Sequence, residues 1–200
     1  MGTIVNYNLR EELEHALYVS LLARDLSREL GLPKAQVYDL THAGLMHDIG
    51  KQKLANYLYG ETRIGSPLQV EEMKYVRMHS QLSYEILKSR NYKPFILDAV
   101  RWHHENYDGT GYPDNLKGEE IPFAARIIRV CDVFAALTTD RPYRKRFEER
   151  EAVALMIDEI SHFDMQVFLA FERVVHRTGT DYQKRLPIRE EEILREFGSV

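Results

Sequence analysis

Between Leu13 and Leu26 the apolar residues recur at intervals of three and four, and this periodicity constrains the chain more than any other feature. It is the stripe of an amphipathic helix, and no segment sustains the period-two alternation that a strand of useful length needs. Gly31 and Pro33 stop this helix and restart the chain. A second helix runs from about Ala35 to Asp48 and stops at Gly50. Residues 52–70 are weaker, with Gly60, Gly65, Ser66 and Pro67 marking loop. Further helices fit 69–90, 94–104, 122–138, 148–160, 164–177 and 188–197. Between two of them, residues Asp108 to Asn115 are dense in turn formers and read as an irregular loop. The fold class is all-α. One domain over 1–200 is expected, with a core of about 8–177 and a tail helix in 178–200. That tail carries Ile193, Leu194 and Phe197 on one face, which suits packing on the domain.

Composition narrows the function classes. A chain of 200 residues that is 44% hydrophobic can bury a sizeable core and is not a disordered polymer. A net charge of -4 argues against a general nucleic-acid binder. No apolar run approaches the roughly 18 residues of a membrane span. Met1 to Glu12 lacks the basic and apolar regions of a signal peptide. The single cysteine, Cys131, rules out an internal disulfide. A soluble, cytoplasmic protein that binds neither DNA nor membrane is the expectation.

The chain has eight histidines, and their placement matters more than their number. His47-Asp48 closes one helix and His103-His104 closes another, with His79 on the helix between. Asp132 lies in the helix after the loop, and Glu11 and His15, four apart, share a helical face. Neighbouring helical residues diverge by about 100°, so adjacent ligands suit a site placed against a helix end. Imidazoles with carboxylates suit iron, manganese or zinc, and an aspartate can bridge two metals. A zinc site of four cysteines is impossible here. His42, His162 and His176 have no carboxylate or histidine at matching spacing and read as structural. Any one histidine taken alone is more often core or surface than ligand.

The segment His47-Asp48-Ile49-Gly50-Lys51 resembles the HD signature of metal-dependent phosphohydrolases. His103-His104-Glu105, Asp108-Gly109-Thr110-Gly111-Tyr112-Pro113, Leu116-Lys117-Gly118, Ile121-Pro122 and Ala125-Arg126-Ile127 then follow in the order of the HD-GYP subfamily. The run from Asp132 to Thr138 and Asp140-Arg141-Pro142-Tyr143-Arg144 complete the series, which covers roughly 11–171. The resemblance implies a single HD-type helical domain with its Gly-Tyr-Pro loop near a metal site, hydrolysing cyclic di-GMP to pGpG or GMP. It carries metal-ligand roles onto His15, His47, Asp48, His79, His103, His104 and Asp132. Glu11 falls where some members have a glutamate that admits a third metal. Two or three divalent ions, iron or manganese, are therefore expected. Lys51, Tyr112, Arg141 and Arg144 match positions used around the phosphates and guanines, and Asp48 and Lys51 carry the catalytic expectation.

A phosphodiester is anionic and repels hydroxide, so its hydrolysis needs charge neutralisation and a nucleophile at neutral pH. Two metals supply both. Expected partners are cyclic di-GMP as substrate, a cyclase or other signalling protein at the Gly-Tyr-Pro loop, and a second copy of the chain. Residues 52–66 depart from the family pattern, which usually continues through Ile-Pro-Asp and Lys-Pro-Gly. That departure keeps two alternatives open: an HD phosphohydrolase acting on another cyclic dinucleotide or nucleotide, and a signalling module that binds without turnover. Cys131 stands where Ala is usual and reads as a small buried hydrophobe rather than a redox sensor.

Overall fold

The computed structural model describes residues 9–59, 77–140 and 144–178. Among them are eight α-helices and no strand: α1 (Leu9–Glu29), α2 (Lys34–Met46), α3 (Gly50–Tyr59), α4 (His79–Ser89), α5 (Pro94–Arg101), α6 (Phe123–Thr138), α7 (Glu149–Asp158) and α8 (Met165–Thr178). The all-α expectation holds. None of these helices is long and apolar enough to cross a membrane.

Two of the connections use one device. After α1, Gly31 takes φ 72°, its N–H bonding the Arg28 carbonyl and that of Leu32 the Ser27 carbonyl. After α4, Asn91 takes φ 59°, with Asn91 N–H on Lys88 and Tyr92 N–H on Leu87. Both are Schellman caps, which use a left-handed residue to satisfy the last carbonyls. Pro33 and Pro94 then start the next helices, where a missing N–H costs nothing.

Helix α6 runs through the middle of the molecule. Ala124, Ala125, Ile127, Ile128, Val130, Cys131, Phe134 and Ala135 bury it on every side, and it packs against α1, α2, α5, α7 and α8. Phe134 meets Phe171 of α8 edge to face at 4.9 Å, and Tyr18 of α1 at 6.4 Å. A helix so enclosed has one buried carboxylate, Asp132, which must find a partner inside the protein.

The sequence expectations need correction at two helix boundaries. Gly50 does not stop a helix: α2 ends at Met46, and Gly50 begins α3, which takes 52–59 out of the expected loop. The glycine answers a close approach, because a Cβ there would collide with the His79 carbonyl and the Ser83 nitrogen of α4. Its N–H donates to Ser83 Oγ at 2.8 Å. The helix expected over 69–90 begins at His79 after a turn at Arg77-Met78. Residues 60–76, Arg141 and the span 188–197 expected to form a tail helix lie outside the described residues.

Candidate metal centre

Five separate elements deliver the donors. His15 comes from the middle of α1, His47 and Asp48 from the turn between α2 and α3, and His79 from the first position of α4. His103 and His104 come from the turn after α5, and Asp132 from α6. Both adjacent pairs lie in turns just past a helix end, which lets neighbouring side chains reach one cluster.

Among the described residues the donors form two groups, Asp48 with His79, His103 and His104, and His15 with His47 and Asp132. Within each group the donor atoms lie within 4.8 Å of one another. His79 Nε2 is 3.0 Å from His104 Nε2 and 3.3 Å from His103 Nε2. His15 Nε2 is 3.0 Å from Asp132 Oδ1, and His47 Nε2 is 3.7 Å from the same oxygen. Asp48 stands between the groups: Oδ1 approaches His79 Nε2 at 3.0 Å, and Oδ2 approaches His47 Nε2 at 3.2 Å.

These donors fit divalent cations. His47 and His103 each place Nδ1 2.7 Å from the carbonyl three residues back, at Gly44 and Val100. With Nδ1–H donated to backbone, each ring in its neutral, metal-binding form carries its lone pair on Nε2, inside the site. Among the described residues, His47 Nε2, Asp48 Oδ1 and His15 Nδ1 are buried and make no well-aligned hydrogen bond, whatever their close polar neighbours. Native proteins leave few such atoms orphaned unless something else satisfies them. All seven donors are nitrogen or carboxylate oxygen, which suits iron, manganese or zinc. Cys131, though beside Asp132, belongs to neither group, and burial pushes its thiol well above the usual range.

The local field is uneven. Burial opposes charge on His47, but Asp48 and Asp132 outweigh it and push the ring up to about 10. Burial pushes His103 down to about 3, helped by His47 and His79, and His104 goes the same way. Burial would raise both carboxyls, yet His47 and Lys51 hold Asp48 low, and His15 and His47 hold Asp132 low.

Lys51 Nζ lies 2.6 Å from Asp48 Oδ2 and 3.2 Å from Glu12 Oε2. It sits in the first turn of α3, not at the end of α2, so the helix dipole opposes its charge there. The two carboxylates hold it in place. Glu11, expected near a third metal, is in neither donor group. Glu12, which sequence reasoning passed over, meets the site through Lys51. Its spacing to His15 is three where that of Glu11 is four, so both fell on one face.

The Gly-Tyr-Pro loop abuts the first group. Tyr112 stacks on His104 at 4.6 Å and 22°, and Arg77 Cζ lies 5.4 Å from the tyrosine ring. Gly111 is required, because a Cβ would land in the backbone of Glu105 and Asn106. Buried Glu105 accepts the Asp114 N–H at 2.7 Å, and Arg129 holds Asn106 Oδ1 at 2.7 and 3.1 Å. Arg144 is engaged elsewhere. Its guanidinium donates to the carbonyls of Ala136, Leu137 and Lys145 and covers Phe147, closing the end of α6.

A family model for the HD domain matches residues 2–167. Cyclic di-GMP phosphodiesterase PA4108 of Pseudomonas aeruginosa is 39% identical over 162 residues, covering 80% of this chain and 38% of that protein. The 3'3'-cGAMP-specific phosphodiesterase 1 of Vibrio cholerae is 34% identical over 172 residues, covering 84% of this chain and 39% of that protein. The chain thus spans less than two fifths of the length of these curated relatives. The solved structure of Bd1817, a HDG"Y"P protein from Bdellovibrio bacteriovorus, matches with a TM-score of 0.66 at 18% identity. It covers 86% of this chain and 55% of its own, a likeness of fold.

Proposed function

This chain belongs to the HD domain family, and on that footing we propose that it is a metal-dependent phosphodiesterase that hydrolyses cyclic di-GMP to pGpG or GMP in bacterial signalling. The observation that carries the reading is the pair of donor groups with Asp48 between them. Asp48, His79, His103 and His104 would hold one divalent ion, iron or manganese, and His15, His47 and Asp132 a second. Asp48, standing between the groups, would serve both ions. Ions held there supply Lewis acidity, neutralisation of phosphate charge and a nucleophile at neutral pH. The two groups among the described residues support two ions.

The chain's own residues bind and orient the substrate. Lys51 sets a cation beside Asp48, within reach of a phosphate oxygen at the site's edge. Tyr112, lying flat on His104, forms the wall against which a guanine would rest. Arg144 caps α6 in this reading, which leaves Arg141, of the two expected arginines, to meet phosphate or guanine. The loop leaves Thr110, Asn115 and Lys117 exposed, the surface a cyclase or other signalling partner would meet.

A second reading, hydrolysis of 3'3'-cGAMP, is favoured by the likeness to the Vibrio cholerae enzyme and by the departure at 52–66. Chromatography of both dinucleotides with the protein loaded anaerobically with iron or manganese separates the two. Faster conversion of cyclic di-GMP is expected. Preference for 3'3'-cGAMP would move the assignment to the second reading, and binding without turnover of either would end both.

A further inference from the structure

We infer that Glu12 is a positioning residue for the substrate phosphate, acting through Lys51; the inference rests on the phosphodiester reading above. Lys51 has two carboxylate neighbours, Asp48 at 2.6 Å and Glu12 at 3.2 Å. They differ in what else claims them. Asp48 Oδ2 also faces His47, and Oδ1 faces His79 and His103, so both donor groups draw on it. Glu12 belongs to neither group. Its contact with Lys51 does not compete with the donors.

Apart from these two carboxylates, the local field does not favour Lys51 where it stands. A cation in the first turn of α3 is opposed by the helix dipole. A lysine stem has many rotamers, and holding its ammonium in one place costs conformational entropy. Glu12 reaches across from α1, and both side chains are largely enclosed, at 17% and 24% exposed. That enclosure limits solvent screening of the pair. The tether therefore fixes the ammonium at the rim of the donor cluster before substrate arrives, and part of the ordering cost is met in advance. Glu12 itself meets Lys51 and stands in neither donor group.

The test is a double-mutant cycle on the full chain, loaded anaerobically with manganese and assayed with cyclic di-GMP. Glu12→Gln is expected to raise KM about fivefold with kcat within about twofold, the size of a partly enclosed ion pair. In a Lys51→Met background the same change is expected to do almost nothing, because the interaction it removes is already gone. Glu12→Asp should recover part of the loss. Bound manganese and melting temperature of Glu12→Gln should match the parent. An equal KM effect in both backgrounds would overturn the inference, and so would loss of manganese in Glu12→Gln, which would make Glu12 a ligand. An inactive parent protein would instead overturn the phosphodiesterase reading, and the inference with it.

Discussion

His47 and His103 leave their helices in the same way and end in opposite electrical states. Each places Nδ1 2.7 Å from the carbonyl three residues back, and each precedes a second donor, Asp48 or His104. Yet His47 is pushed up to about 10 and His103 down to about 3. Both are fully buried, so desolvation works against charge on both. What differs is the company. His47 Nε2 faces Asp48 at 3.2 Å and Asp132 at 3.7 Å, while His103 Nε2 faces His79 at 3.3 Å, with Asp48 farther off at 3.8 Å. Orientation of each ring is a local matter, settled within four residues. Its charge is settled by residues up to 85 positions away, the separation of His47 and Asp132.

The largest predicted effect comes from the residue common to both surroundings. Asp48→Ala should lower cyclic di-GMP turnover by roughly a thousandfold, the loss of several kcal/mol of transition-state stabilisation. Steady-state kinetics of the manganese-loaded variant checks this. Next come changes that strip one group and spare the other. Asp132→Ala and His104→Ala should each leave about one manganese per chain instead of two, with turnover down roughly a hundredfold. Metal analysis after gel filtration reads the outcome, and loss of all metal in either variant would deny that the groups are separable.

The comparison sharpens in the metal-free protein. The His47 ring should stay protonated through neutral pH, and that of His103 should stay neutral down to about pH 3. For His47 the folded value lies above the ordinary 6.5, so its stabilisation is complete below 6.5 and fades as pH rises through about 10. For His103 the folded value lies below 6.5, so stability falls as pH drops from there towards about 3. Imidazole NMR across pH tests both, and two rings titrating together near 6.5 would erase the contrast. The smallest effect concerns Cys131, which is buried with its thiol pushed well up. It should resist alkylation at neutral pH in the folded protein and react only after denaturation, as mass spectrometry would show.

Much of this arrangement was legible in the sequence where it depended on neighbours in the chain. The His47-Asp48 and His103-His104 pairs pointed to helix ends, and both lie in turns just past α2 and α5. The helical periodicity of Leu13 to Leu26 located α1. What escaped depended on how elements meet. Gly50 looked like a stop because glycine ends helices, but here it admits the backbone of α4. The Glu12 contact escaped because α1 alone does not say where α3 puts Lys51. Arg144 matched a motif position, while its hydrogen bonds to the end of α6 come from the way the chain turns back after Thr138.

The most direct test of the two-group account is turnover of cyclic di-GMP followed while manganese is titrated anaerobically into the metal-free protein. The account predicts a rate that reaches its plateau at two equivalents per chain and is abolished by Asp48→Ala. A plateau at one equivalent, or an Asp48→Ala protein as active as its parent, would contradict it.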